Sequence, residues 1–370
     1  VLSDSILAFC PFNYSLSTIA YIMRILITGA AGFVGQILAK KLLDDEESNH
    51  TVILTDIIEP PIPFRAKLPQ NAKCIKADLN NESALVVDKS LDAVYIFHGI
   101  MSSGAEANFE LGMKANFDAT RALLETLRTT CPGLRVIYAS SQAVYGSSAT
   151  LPITETQLPL PETSYGAEKM MCEYLINDYT RRGFINGLTL RFPTVTVRPG
   201  KPTAAASSFI SGMIREPMNG IKCQIPLTDR TWRHWLCSPR ILVRNLVFAL
   251  SLEKDALPSF DRSLNHPGIG VSLQDMRDSL ARVGGEDKLA FLEEKDEPVL
   301  KKILYSWPAD FDNAKALALG FARDMSYDDI VRDYKEGLEA ERALCKEANG
   351  QKEEKVNGAT VQVSEVGVAA

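Results

Sequence analysis

The feature that most constrains this chain is a short apolar run, Met23 to Thr28, followed at once by Gly29, Gly32 and Gly35 in the segment GAAGFVG. Beyond the glycines Val34, Ile37, Leu38, Leu42 and Leu43 recur at helical spacing, so the order is strand, tight turn, helix. Each glycine has a separate task in such a unit. Gly29 permits the sharp turn, Gly32 lets the backbone approach a pyrophosphate at the helix N-terminus, and Gly35 lets helix and strand pack closely. Phe33 and Val34, between Gly32 and Gly35, are expected to contact the same cofactor.

The next apolar run, Thr51 to Thr55, ends at Asp56. A carboxylate there accepts hydrogen bonds from both hydroxyls of an adenosine ribose and repels a 2′-phosphate, and Ile57 and Ile58 supply no arginine to neutralise one. The expected cofactor is therefore NAD rather than NADP. Further strands are expected at Lys73 to Lys76 and Asp92 to His98. The first leads to Asp78 by the adenine amine and Leu79 over the ring; the second leads to Gly99, where the cofactor can lie close to the backbone. Phe109, Met113, Phe117, Leu123, Leu124 and Leu127 keep helical phase across Glu106 to Thr130. Leu134 to Ala139 reads as a strand, Glu168 to Tyr179 as a helix and Leu188 to Phe192 as a strand. This alternation predicts an α/β chain, a Rossmann-like doubly wound parallel sheet with a smaller C-terminal substrate-binding lobe, and a ligand crevice beyond the strand carboxyl ends.

The expected division is a nucleotide-binding domain over residues 23–197, continued by 236–267, and a substrate lobe over 198–235 and 268–337. Residues 1–22 read as a poorly ordered extension, because no arginine or lysine precedes Arg24 and Asp4 and Pro11 interrupt any apolar span. Within 338–370, Leu338 to Glu347 can prolong a closing helix, Tyr327 to Tyr334, and the rest reads as a mobile tail. Seven scattered cysteines without a CxxC pair point to reduced thiols and a cytoplasmic setting. Dispersed histidines argue against a metal. A net charge of −6 argues against nucleic-acid binding, and no segment reads as a membrane span.

Three residues fall where the crevice should be. Ser141 follows the strand ending at Ala139, and Tyr165 and Lys169 are four apart at the start of the next helix, about 6 Å of rise and so on one face. A free phenol has a pKa near 10. A neighbouring ammonium and a positive nicotinamide favour its phenolate, which can then take the proton of an alcohol while hydride leaves the carbon. Ser141 would orient that oxygen, and Lys169 would also bond the nicotinamide ribose.

In these elements the chain resembles the extended short-chain dehydrogenase/reductase family. The matching pieces are GAAGFVG, Thr55-Asp56, Asp78-Leu79, SSQAVYG from Ser140 to Gly146, and YGAEK from Tyr165 to Lys169. The resemblance implies catalytic roles for Ser141, Tyr165 and Lys169, places Asn116 of the central helix and Pro193 beside the cofactor, and leads to the expectation of a homodimer through two long helices. His98-Gly99-Ile100 and Phe192-Pro193-Thr194 depart from the pattern usual in members that bind nucleotide sugars. A narrower likeness, in SSGAEANFELGMKAN, in the segment Leu190 to Pro217 and in RHWLCSPR, is to members that oxidise a four-carbon sugar acid. It implies NAD-dependent oxidation of a small hydroxy acid, D-erythronate or a similar aldonate, at the 2-hydroxyl. Nucleotide-sugar epimerisation and a non-catalytic NAD-binding role stay open as alternatives.

Arg198, Lys201, Arg215, Arg230, Arg233 and Arg240 form a cationic stretch in an acidic chain, suited to a carboxylate. Arg233, between Trp232 and Trp235, is the expected clamp. Ser102, Ser103, Ser207 and Thr194 are the expected hydroxyl binders, while Trp307 is expected to pack the small lobe.

Overall fold

The computed structural model describes residues 22–202 and 205–343. The expectations for the extension before Ile22 and for the tail beyond residue 343 lie outside the described residues. In chain order the first half lays down β1 (Arg24–Thr28), α1 (Phe33–Leu43), β2 (Thr51–Asp56), β3 (Ala72–Lys76), β4 (Ala93–Ile96), α2 (Ala119–Thr130), β5 (Arg135–Ser141), α3 (Ser164–Arg181) and β6 (Asn186–Phe192). The second half adds β7 (Thr194–Val195), α4 (Ser208–Met218), β8 (Cys223–Ile225), β9 (Arg233–Cys237), α5 (Pro239–Ser251), β10 (Ser263–Asn265), β11 (Ile269–Ser272) and β12 (Leu292–Glu294).

Seven strands form one sheet in the order β10-β6-β5-β4-β1-β2-β3, and every neighbouring pair is parallel. The chain moves outward from β1 to β3 and then returns to β4 on the other side of β1. That reversal leaves a crevice beyond the carboxyl ends of β1 and β4. Alternate residues of the buried strands feed two layers. Ile25 and Ile27 of β1 pack with Leu38 and Leu42 of α1 and Leu242 and Leu246 of α5. Leu26 faces the other way, toward Leu123 and Leu127 of α2 and Cys172 and Ile176 of α3. Near-continuous burial of β1 and β4 on both faces is what a parallel sheet covered on two sides requires.

The helix expected over Glu106 to Thr130 is interrupted. Asn108 leaves helical geometry and its side chain accepts from the Leu111 amide, starting a new turn. Met113–Asp118 then takes a π-helical form before α2 begins. Periodicity alone reads through both breaks, because the apolar face continues across them. The closing helix expected at Tyr327 to Tyr334 runs over 327–343.

The smaller lobe holds a three-stranded sheet, β11-β9-β7, and the pair β12-β8. Its core joins Ile210, Met213 and Ile214 of α4 to Trp232, Leu236, Leu273 and Trp307. α5, capped at its start by the Ser238 side chain, returns the chain to the main sheet.

Behind β5 lies a buried ion pair. Glu173 of α3 is fully buried and accepts from Nε and Nη2 of Arg191 on β6, the latter at 2.7 Å. Ser140 and Ser263 also donate to Glu173, and Arg191 reaches the Tyr145 hydroxyl. The cluster ties α3, β5, β6 and β10 together next to Ser141. Removing the carboxylate strands a buried guanidinium, so Glu173→Ala is expected to cost about 3–5 kcal/mol, read from urea unfolding. Glu173→Leu combined with Arg191→Leu should recover part of that loss.

Candidate active site

The cleft opens where the topology leaves the crevice. Its floor is the glycine turn. Gly29 has φ +65°, and a Cβ added there would sit 2.6 Å from the backbone of Phe97 and His98. At Gly35 an added Cβ would sit 2.7 Å from Ala30 Cα and the Gly29 carbonyl. Neither approach admits a side chain. α1 starts at Phe33 with no side-chain cap and no acidic residue in its first turn, which keeps its leading amides for an anion. Asp56 ends β2 beside this turn, its Oδ2 accepting from the Ala31 amide at 3.0 Å and its Oδ1 from its neighbour Ile57. This cradle fits the diphosphate and adenosine ribose of a dinucleotide.

Gly29, Gly32, Phe33, Val34, Gly35, Asp56 and Gly99 line the cleft from the nucleotide-binding side, with Ser102, Ser141, Tyr165, Lys169, Pro193, Thr194 and Ser207 completing the wall. Asn116 is buried behind that wall rather than in it. Its Oδ1 accepts from Ile100 N at 2.8 Å, and its Nδ2 donates to the Ile100 carbonyl and to Glu168. It thereby holds the Gly99-Ile100 turn from the π-helical stretch. His98 is fixed between Thr28 (2.8 Å) and Thr120 (3.2 Å), and burial pushes its imidazole down to about 3, so the ring is neutral.

Two elements bring Ser141, Tyr165 and Lys169 together. Ser141 closes β5, and its Oγ accepts from Ala143 N at 3.1 Å, capping the short turn Gln142–Val144. Thr163 caps α3 in the same way, which sets Tyr165 and Lys169 in its first turns. Ser141 and Tyr165 both line the cleft. Burial pushes the phenol up to about 12, against the lowering effects of Ser141 and the Arg198 charge. Lys169 donates to the Ala139 carbonyl at 2.8 Å, and its ammonium lies 4.8 Å from the Tyr138 ring centroid and 5.6 Å from that of Tyr165. Burial pulls it down to about 8. Arg198 is a cation whose field lowers the Tyr165 phenol.

Four expectations need correction. Arg233 does not line the cleft. Successive residues of β9 point to opposite faces, so His234 turns toward the cleft wall while Arg233 turns out to Asp310 (3.0 Å) and the Gly270 carbonyl. The arginine that lines the cleft is Arg198. Asp78 is spent as an N-cap on the Asn80 amide, Leu79 is buried in the core, and neither lines the cleft. Ser103 is likewise outside the lining, its hydroxyl buried without a partner. Trp307 packs the small lobe and lines the cleft as well. Gln142 and His234 were missed because no local pattern brings residues 92 apart into contact; only the β9 register does.

A model of the NAD dependent epimerase/dehydratase family matches residues 25–250, more than half of the chain. The chain belongs to this family. It is an NAD-dependent oxidoreductase of the extended short-chain dehydrogenase/reductase type, as the glycine turn and YGAEK segment led us to expect. D-Erythronate dehydrogenase of Haemophilus influenzae is 37% identical over 315 residues, spanning 84% of this chain and 98% of that protein. D-Erythronate dehydrogenase of Cupriavidus necator is 39% identical over 324 residues, spanning 85% and 98%. Among solved structures, the nucleoside-diphosphate-sugar epimerase from Agrobacterium tumefaciens superposes with a TM-score of 0.77 at 32% identity, covering 84% of this chain and 93% of that one. Among the described residues no helix is long and apolar enough to cross a membrane, and no group of three or more His, Cys, Asp or Glu is placed to hold a metal ion.

The buried ammonium generates a prediction of its own. Because its pKa falls from 10.5 to about 8 on folding, the unfolded chain binds more protons between those values and stability rises with pH across that window. Below it the full cost of the buried charge is present. Lys169→Met is therefore expected to raise the melting temperature of the cofactor-free protein at pH 7, by an amount that shrinks as pH climbs from 8 toward 10.5, while turnover is lost.

Proposed function

We propose that this chain oxidises the 2-hydroxyl of a small aldonate, D-erythronate or a near relative, to the 2-keto acid. The observation that carries this reading is an unpaired cation beside the reactive phenol. Arg198 lines the cleft, its Nε donates to the Val195 carbonyl at 3.0 Å, and no carboxylate among the described residues pairs with it. A guanidinium without a counter-ion next to Tyr165 suits a substrate that brings its own carboxylate. The two D-erythronate dehydrogenases that the chain matches over most of its length support the same class.

The geometry supports the following residue roles. NAD, when bound, supplies the hydride acceptor. Gly29, Gly32, Phe33, Val34 and Gly35 bind its diphosphate, Asp56 takes the adenosine ribose hydroxyls, and Gly99 and Pro193 shape the wall beside it. Ser141 donates to the oxygen on carbon 2, and Tyr165 Oη takes that hydroxyl's proton as hydride leaves the carbon. With the phenol at about 12 in the protein alone, positive charge must favour the phenolate, and Lys169 and Arg198 flank it. Arg198 holds the carboxylate, and Thr194, Ser102 and Ser207 offer hydroxyls to the rest of the chain of carbons.

Two further parts of this reading concern setting. A homodimer is supported by exposed apolar side chains, Phe109 and Leu111 ahead of α2 and Tyr174 on α3, and light scattering tests it. A reducing, cytoplasmic site of action is supported by the free thiols of Cys74, Cys131, Cys172, Cys223 and Cys237.

The deciding assay is NADH formation at 340 nm with D-erythronate, threonate, longer aldonates and UDP-sugars; turnover confined to UDP-sugars would refute the aldonate assignment. Tyr165→Phe is expected to lower kcat by about 10²–10⁴-fold with NADH binding retained in a fluorescence titration. Arg198→Met should raise KM for the acid by about 10–100-fold, the worth of a charge-assisted pair, whereas Arg233→Met should leave KM nearly unchanged.

A further inference from the structure

One polar group of the cleft wall has no part in the chemistry above. Gln142 follows Ser141 in the turn that Ser141 caps, and it lines the cleft although it is 3% exposed. Its Nε2 lies 3.1 Å from Nε2 of His234 and 3.4 Å from Oγ1 of Thr194, and those two atoms are 2.8 Å apart. The other amide atom, Oε1, is buried with no partner. His234 is fully buried, stacked on Trp232 with ring centroids 5.0 Å apart and with Trp307 at 5.8 Å. Burial pushes its imidazole down to about 3, so the ring is neutral and offers an anion no counter-charge.

A buried amide atom without a partner is costly, and at a cleft wall a ligand group can relieve that cost. We propose that Gln142 reads the hydroxyl on carbon 3 of the substrate, and that His234 is the positioning residue that holds the amide toward it. The inference rests on the aldonate reading above and deepens it. Ser141 is assigned the oxygen on carbon 2, and Gln142 lines the cleft next to it in the same turn, so carbon 3 is the carbon we assign to Gln142. A hydroxyl both donates and accepts and pairs with either end of an amide, whereas a methylene leaves the amide unpaired. Gln142 and His234 are uncharged, so a neutral group is the one they select; the carboxylate is met by Arg198. His234 Nε2 faces both Thr194 and Gln142, so loss of the ring releases both at once.

The test compares D-erythronate with (2R)-2,4-dihydroxybutanoate, which keeps the carbon-2 stereochemistry and lacks only the carbon-3 hydroxyl. The NAD-loaded enzyme is expected to favour D-erythronate in kcat/KM by about 10–100-fold. Gln142→Met and His234→Phe should each shrink that ratio toward one, and the double variant should shrink it no further, because both remove the same contact. His234→Gln, which still bonds the amide, should keep more of the ratio than His234→Phe. The phenyl ring preserves the stack on Trp232, so His234→Phe carries the measurement if Gln142→Met does not fold. Calorimetric titration of both acids into the enzyme–NADH complex reads the same preference without turnover. A chain that prefers D-erythronate in binding but does not oxidise it would refute the proposed reaction and leave this inference standing. Equal affinity for the two acids, or a Gln142→Met variant that weakens both alike, would overturn it.

Discussion

The start of α1 is pressed against the ends of β1 and β4 until backbone meets backbone, and the site depends on that contact. Gly29 lies against Phe97 and His98, and Gly35 lies against Ala30, at separations that exclude even a methyl group. Asp56 ties the same turn to the end of β2 through the Ala31 amide. Were α1 held off by the width of one side chain, its leading amides would no longer face the crevice where the strand order reverses, and the cleft would lose its anion-binding floor.

Charge is distributed around this cleft with a consistent logic. Arg191 is buried but fully met by Glu173, so it braces the strand that carries Ser140 and Ser141 without disturbing the site. Arg233 is met by Asp310 on the outer face. Lys169 and Arg198 are not neutralised in this way: the first is bonded to a carbonyl, the second to a carbonyl and to no acid among the described residues. Burial penalises both cations. That unrelieved positive potential is what a phenolate and a carboxylate would meet on arrival, and it explains why stability and chemistry pull Lys169 in opposite directions.

Much of the fold was legible because its signals are local. A strand, three glycines and an amphipathic helix occupy one stretch of chain, and Asp56, Ser141, Tyr165 and Lys169 each sit at the end or start of an element that periodicity alone can find. The break at Asn108 and the π-helical Met113–Asp118 were not legible. An apolar stripe shows which face is buried, not whether the backbone hydrogen bonds continue beneath it. Asp78 is ambiguous in the sequence for a related reason, since an aspartate after a strand has equal use as a ligand contact and as a cap on the turn that follows it, and here it caps.

The sequence by itself determined that this chain builds a parallel nucleotide-binding sheet with a serine, a tyrosine and a lysine at its carboxyl edge. Those features rest on spacing along a few tens of residues. Which arginine lines the cleft, and which neutral groups stand beside it, was decided only in three dimensions. The pairing of β9 with β7 and β11 turns Arg233 outward and His234 inward, and it brings His234 to Gln142 from far along the chain. A strand's side chains alternate between its two faces, and which face becomes the cleft wall is set by the neighbours it pairs with, not by its own residues.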